Sequence, residues 1–303
     1  MKNEGVDVGR EGFGKVPISL IILTYNEEAN IAHPLESVKN WVGEIIIVDS
    51  YSTDRTLEIC RKYTDRIYQH VFENQAKQFN WALDNVPISY DWVMRLDADE
   101  TLPARLKQEL ADLVSSCEAN VTGIYMNRRM YFMNRWLKHG GIYPHYILRV
   151  FRRGSGRYEE KTEEHFVLTK GRAVRAQNEF LEDNRQNTLK YWLRKHDNLS
   201  DGEIRDTLLE TRAPAEDTKE KLFGNKVERT RWLKVHVYAR SPLFLRAVLY
   251  FVYRYVFRLG FLDGVPGLIY HVLQGFWYRF YVDARIYETR SEWQAKPVKY
   301  RDI

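Results

Sequence analysis

A chain of 303 residues with 44% hydrophobic and 29% charged side chains can bury a sizeable core. That balance excludes a disordered or fibrous polymer and leaves one large domain or two modest ones. The net charge of +5 is a mild basic excess that suits phosphates, nucleic acid or anionic lipid. The two cysteines, Cys60 and Cys117, lack motif spacing, which argues against a disulfide scaffold and reads as thiols in a reducing compartment.

Residues 1–15 are polar and Gly-rich, without the apolar stretch of a secretory signal, so a flexible tail and a cytoplasmic protein are expected. Pro17 to Thr24, "PISLIILT", is a continuous β-branched run and predicts a strand covered on both faces. A helix follows within Glu27 to Trp41, interrupted or started by Pro34. "EIIIVDS", 44–50, predicts a second buried strand, and "STDRTLEICRKY" a capped amphipathic helix. "RIYQHVF" predicts a third strand, Gln75 to Leu83 a third helix, and "DWVMRLD" a fourth strand. "PARLKQELADLVSS" predicts a fourth helix with Pro103 in its first turn. Four alternations of strand and helix predict a parallel sheet covered by helices, with ligands at the carboxyl ends of its strands. Beyond about residue 120 the rhythm changes. "TGIYMNRRMYFM" and "YILRVFRR" predict strands, the chain from Asn184 is mostly helical, and Thr211 to Asn225 is a polar linker.

Three polar features fall at strand ends: "TYNEE" at 24–28, "DSYSTD" at 49–54 and "DADE" at 97–100. An Asp-x-Asp alone also serves as a turn and helix cap. Placed in order on successive units of one sheet, these features converge on one edge. Asp97, Asp99 and Glu100 would repel one another unless water or a cation separated them. Carboxylates of this kind suit Mg²⁺ or Mn²⁺ bridging a diphosphate. The dinucleotide fingerprint GxGxxG and the P-loop pattern are both missing after the first strand, which argues against a nicotinamide enzyme or a P-loop ATPase.

"ISLIILTYNEEANI" at 18–31, "EIIIVDSYSTDRT" at 44–56, "AKQFNWAL" at 76–83 and "DWVMRLDADE" at 91–100 together resemble the inverting family 2 glycosyltransferases. The stretches "HGGIYPHYILRVFRRGSGRYEEKTEEH" and "RLGFLDGVPGLIYHVLQGFWYRFYVDARIYE" resemble the bacterial branch that builds lipopolysaccharide cores and surface polysaccharides. The resemblance implies an α/β GT-A fold, a Rossmann-like nucleotide-sugar-binding sheet with helices on both faces, plus a C-terminal helical, aromatic-rich region. It implies a catalytic domain over 16–183 and an acceptor or membrane-associating region over 184–303. Thr24, Tyr25, Asn26 and Glu28 would line the nucleotide pocket. Asp49 would accept from the base ring, Lys77 would lie near the base or diphosphate, Asp97 would contact the nucleotide-sugar, and Asp99 would ligate the cation. Inverting transfer needs a carboxylate base, and "EEKTEEH" offers Glu159, Glu160, Glu163 and Glu164. Relatives often carry a His-Glu pair here, which lies over Glu164. This chain reads Glu-Glu-His, leaving Glu163 and Glu164 as alternatives, and His165 as a structural or diphosphate contact.

From Arg229 to Arg290 ten Arg or Lys stand against three acids among many aromatics. The apolar stretches 242–257 and 267–282 fall short of the roughly twenty residues that span a bilayer. On a helical wheel Arg240, Arg254 and Arg258 share one side, with Arg246 at its margin. They are expected to face lipid phosphates at the inner face of the cell membrane. Packing on the catalytic domain or a dimer interface is the other use of such a hairpin, and nothing in the catalytic part requires nucleic acid. The expected partners are a nucleotide-sugar, probed first as a UDP-sugar, and a glycan or lipid-linked glycan acceptor. A sugar-phosphate nucleotidyltransferase and a non-catalytic scaffold that retains the fold are the rival readings.

Overall fold

The computed structural model describes residues 15–159, 166–186, 188–212 and 241–295. They fall into two compact units. The first holds the described residues up to Trp136 and those from Pro144 to 186, and the second holds Leu137–Tyr143 and those from Thr188 onward.

In the first unit, β1 (Val16–Thr24), β2 (Val42–Asp49), β3 (Ile67–Gln69) and β4 (Trp92–Asp97) are parallel. The helices α1 (Ala32–Val38), α2 (Thr56–Cys60) and α3 (Gln75–Asn85) connect them. The β-branched run of β1 is buried on both sides. Ile18, Leu20 and Ile22 join one core, while Ile21 joins another with Ile46, Val48, Phe79 and Phe151. Pairing sets Thr24 opposite Asp49 and Leu23 opposite Asp97, so these strand ends finish at one level of the sheet. Pro34 sits in the first turn of α1, where its missing N–H costs no intrahelical bond. Asn74 caps α3, its side chain accepting from the Lys77 N–H at 2.8 Å.

The remainder departs from a purely parallel sheet. After β5 (Glu100–Thr101) and α4 (Ala104–Ser116) come β6 (Val121–Phe132), β7 (Arg135–Trp136), β8 (Tyr146–Arg152), β9 (Gly156–Tyr158), β10 (Phe166–Leu168) and β11 (Arg172–Glu182). The large sheet runs β3-β2-β1-β4-β8-β6-β11-β5, with β7 paired to β6. β8 is antiparallel to both β4 and β6, and β11 is parallel to β6. The four alternating units form a parallel sheet as expected, and the later strands make the whole sheet a mixed one within the α/β class. Neither β5 nor β11 stands out in the sequence, because "RAVRAQNEFLE" has no apolar run and finds its partner some fifty positions away. The antiparallel pairing of β5 with β11 sets Glu182 opposite Glu100. This brings the turn after β4 beside the turn after β11, where the Asp183 N–H donates to the Asp99 carbonyl at 3.0 Å.

The second unit is helical and aromatic, as expected. It contains α5 (Leu189–Arg212), α6 (Leu245–Val252), α7 (Gly264–Tyr270) and α8 (Tyr278–Ala295). π-helical turns at Tyr253–Phe257 and His271–Trp277 extend α6 and α7. α5 meets α8 through Tyr281 Oη donating to Asp197 at 2.6 Å and Arg285 paired with Asp201 at 2.5 Å. Gly140 has φ +67°, and a Cβ there would lie 2.0 Å from the buried His271 ring; a Cβ on Gly260 would lie 2.5 Å from the same ring. Two glycines therefore make room for one histidine.

The expected row of lipid-facing arginines is corrected here. Arg246 is buried against Asp283, its Nε donating at 2.7 Å. Arg254 donates to the Gly140 carbonyl at 2.8 Å. Arg258 is exposed, and Arg240 lies outside the described residues. Arg246 and Arg254 fold inward because a guanidinium beside a partner retains its hydrogen bonds when α6 packs.

Burial, with Lys195 and Arg279 nearby, lowers the His196 pKa to about 4 against hydrogen bonds to Trp192 and Gln274 that raise it. Burial and the charge of Arg254 lower His271 to about 4, with Asp263 opposing. Both are therefore neutral in the folded chain at pH 7. Between the ordinary 6.5 and about 4 the unfolded chain binds more protons, so stability should fall as pH falls through that window. Melting midpoints recorded from pH 6.5 downward should drop, the two histidines outweighing the opposite contribution of Glu100. A level midpoint down to about pH 5 would refute the assignment.

Candidate active site

The loop after β1 and the loop after β2 are stitched together by their own side chains. Asp49 is fully buried and accepts from Thr24 Oγ1 at 3.1 Å, Ser52 N at 2.9 Å, Ser52 Oγ at 2.5 Å and Gln69 Nε2 at 3.1 Å. Asn26 has φ +53°, a left-handed conformation that Asn tolerates, and its Oδ1 accepts from the Thr53 N–H at 2.8 Å. The Glu28 carboxylate accepts from the Arg55 N–H at 3.1 Å, while the Glu28 N–H donates to Asp54 at 3.1 Å. Tyr25 and Tyr51 project from these loops and are more than half exposed. So Thr24, Tyr25, Asn26, Glu28 and Asp49 gather at one sheet edge, but Asp49 spends its acceptors on the protein itself. Lys77, one turn into α3, has its Nζ 2.5 Å from Glu73.

The acids at the end of β4 have a counterion within the fold. Arg149 on β8 donates to Asp97 at 2.7 Å and also to Glu100, and Arg95 Nε donates to Asp97 at 3.0 Å. Arg95 is 2% exposed, with its guanidinium 4.9 Å from the Tyr158 ring centre and a further bond to Gln75 at 2.8 Å. Burial alone would raise the Asp97 carboxyl, but the Arg149 and Arg95 charges overcome it and hold it well below the usual carboxylate range. For Glu100, burial and the charges of Asp97, Glu182 and Asp99 prevail over Arg149 and push its pKa to about 8. The crowding is therefore relieved in two ways: Arg149 and Arg95 hold Asp97 ionised, and Glu100 keeps its proton up to about pH 8.

Asp99 also lines a cavity of about 190 Å³, with Asn30, His33, Tyr131, Asp183 and Arg185. Asn30 braces the far wall, accepting from the Arg185 N–H at 2.8 Å and donating to Asn184 at 3.2 Å. Gln186 Nε2 donates to the Asn26 carbonyl at 2.9 Å, joining this wall to the loop after β1. Burial and the Arg185 charge lower the His33 pKa, against Asp183. The carboxylate pair Asp99 and Asp183 thus lines one small cavity with Arg185 at the sheet edge. Among the described residues no three His, Cys, Asp or Glu form a ready-made metal cage. The pair fits a hard cation that takes one or two carboxylates and completes its shell from phosphate and water. Glu159 is described, whereas Glu160, Glu163, Glu164 and His165 lie outside the described residues.

Arg95, Arg149, Asp183, Arg185 and Asn30 were not anticipated from the sequence. The first two did leave a signal, since a lone cation inside "WVMRLD" or "YILRVF" must find a buried partner. Asp183 and Arg185 left none, because only the β5–β11 pairing carries them to the site.

The family model described as Glycosyl transferase family 2 matches residues 19–178. The chain is similar to the lipopolysaccharide core biosynthesis glycosyltransferase LpsC of Rhizobium meliloti (strain 1021), with 33% identity over 150 residues, 48% of this chain and 54% of that protein. It is also similar to the uncharacterized glycosyltransferase RT0209 of Rickettsia typhi, with 36% identity over 99 residues, 33% of each chain. The matched part spans about half the length of the first of these relatives and a third of the second. Among solved structures, glucosyl-3-phosphoglycerate synthase from Mycobacterium tuberculosis, crystallised with Mn²⁺, uridine diphosphate and glucosyl-3-phosphoglycerate, aligns over 37% of this chain and 44% of that one. The identity is 24% and the TM-score 0.31.

Proposed function

The chain belongs to glycosyl transferase family 2, and from that premise we propose that it is a glycosyltransferase moving a sugar, with inversion, from a UDP-sugar to a lipid-linked or lipopolysaccharide-type acceptor. One observation carries the reading: Asp99, Asp183 and Arg185 line one cavity at the sheet edge where the loops of Thr24 and Asp49 end. The name of the rhizobial relative supports the choice of acceptor class.

Asp99, with Asp183, would hold Mg²⁺ or Mn²⁺. A divalent cation bound there supplies Lewis-acid neutralisation of the departing diphosphate. Arg185 donates to a phosphate oxygen, a contact that strengthens as negative charge develops on the leaving group. Tyr25 offers a ring face to the base, with Asn26 and Glu28 shaping the pocket rim. Asp49 acts indirectly, by fixing the loop that carries Tyr51 and Ser52. Asp97, held between Arg95 and Arg149, keeps the turn bearing Asp99 in one conformation, and Lys77 serves the base or diphosphate from α3. The acceptor hydroxyl attacks the anomeric carbon, its proton passes to Glu164 or Glu163, and the bond to the diphosphate oxygen breaks with its electron pair leaving on that oxygen. The region 184–303 would meet the acceptor at the inner face of the cell membrane.

If Glu164 is the base, Glu164→Gln should lower turnover by on the order of a hundredfold while donor binding stays within a factor of a few. The loss appearing in Glu163→Gln instead would move the role by one residue, and full activity in both variants would remove the loop from catalysis. The whole reading is tested by titrating a panel of nucleotide-sugars with and without Mn²⁺ and following donor hydrolysis. Absence of metal-dependent binding to any nucleotide-sugar would refute it.

A further inference from the structure

In the second unit, the chain between Pro242 and Val272 exposes apolar side chains that a soluble helix pair would turn inward. Leu245, Leu249 and Val256 are about half exposed along one face of α6 and its π-helical extension. Beyond the bend, Leu262, Val265 and Leu268 repeat the pattern at helical spacing. Phe257 at 73% and Val265 at 68% are the most exposed large hydrophobic residues among those described, and they flank the bend itself. The segments Leu245–Phe257 and Gly260–Thr289 meet at 69°. No single described helix is long and apolar enough to cross a membrane, but this bent pair passes by length and composition taken together.

The charges around the bend are sorted. The one acid between 242 and 272, Asp263, is 2% exposed and accepts from the Lys138 and His139 N–H groups and from His139 Nδ1. Arg246 is spent on Asp283 and Arg254 on the Gly140 carbonyl. Arg258 is the charged side chain this stretch leaves exposed. The face around the bend is therefore apolar with one exposed cation, Arg258, and no exposed carboxylate between 242 and 272.

We propose that the bend inserts into one leaflet of an anionic lipid bilayer, placing Phe257, Leu262 and Val265 among the acyl chains and Arg258 at the phosphates. This deepens the reading of a lipid-linked acceptor, because it brings the enzyme to the surface where such an acceptor resides. Charge complementarity favours lipid over a second copy of the chain. Two copies packed face to face would oppose Arg258 to Arg258 with no exposed carboxylate to neutralise them. Anchoring is then chiefly apolar, unlike a purely electrostatic attachment.

The test is flotation of the full chain with vesicles of phosphatidylcholine, alone or mixed with phosphatidylglycerol, at low and high salt. Wild type should float with the mixed vesicles, and high salt should weaken this only several-fold. Phe257→Ser, Leu262→Ser and Val265→Ser combined should reduce binding by on the order of a hundredfold or more. Arg258→Gln should reduce it by about fivefold. All three apolar side chains are exposed, so the variant should melt like wild type and bind donor equally well. Failure of wild type to float, undiminished binding by the triple variant, or complete release in high salt would each overturn the proposal. So would a self-association that the triple variant dissolves without any wild-type vesicle binding. Wild type that floats but binds no nucleotide-sugar would sink the transfer chemistry and leave the insertion standing.

Discussion

Asp99→Asn should abolish Mn²⁺-dependent binding of UDP and lower sugar transfer by on the order of a thousandfold, since metal stabilisation of a leaving diphosphate is worth several kcal/mol. Asparagine keeps the shape of the side chain and removes the charge a hard cation requires. Asp99 lines the cavity that Asp183 and Arg185 also face, while Asp97 and Glu100 are bound to arginine. The three acids of the motif should therefore respond differently. Asp99→Asn should leave the melting temperature near wild type, and Asp183→Asn should weaken the metal response by a smaller factor. Calorimetry of UDP with and without Mn²⁺ reads the effect independently of turnover. Equal metal-dependent affinity in wild type and Asp99→Asn would remove Asp99 from the cation site.

Arg149→Leu is expected to cost about 3–5 kcal/mol of stability, a large fraction of the total that holds a domain together. Arg149 is 5% exposed, pairs with Asp97 and Glu100 together, and lies 5.7 Å from the Phe180 ring centre. Removing it takes from Glu100, 1% exposed and mostly protonated near neutral pH, its arginine donor, and from the ionised Asp97 one of its two cations, leaving Arg95. Lysine has one ammonium where arginine has a planar fork, so Arg149→Lys should recover only part of the loss. The cause can be isolated by adding Glu100→Leu to Arg149→Leu. If an unsatisfied buried acid is responsible, the double variant should be more stable than Arg149→Leu alone in urea unfolding. A double variant no better than the single would assign the loss to packing against Phe180.

How much of this was legible beforehand depends on the range of the interaction. The strands β1, β2 and β4 could be read from "PISLIILT", "EIIIVDS" and "DWVMRLD" because β-branched and apolar runs of that length have few other uses. Their polar ends located the candidate site because parallel βα units place strand ends on one edge. Residues 160–165 carry the candidate base, and for Glu163 and Glu164 the argument remains the one the sequence supplies.

Local pattern therefore determined the α/β class, the family and the edge where a ligand would bind. Tertiary pairing decided which acids face it. Asp97, Asp99 and Glu100 look equivalent in "DADE", yet β8 delivers Arg149 to two of them, and β11 delivers Asp183 and Arg185 beside the third. In the C-terminal region, sequence showed basic and aromatic residues interleaved, but not which would turn outward. Arg246 turned inward because Asp283, thirty-seven residues on, offered a buried partner, and Phe257 at the bend stayed exposed. A buried charge must find its counterion wherever the chain brings one, and that choice is made by contacts between distant segments.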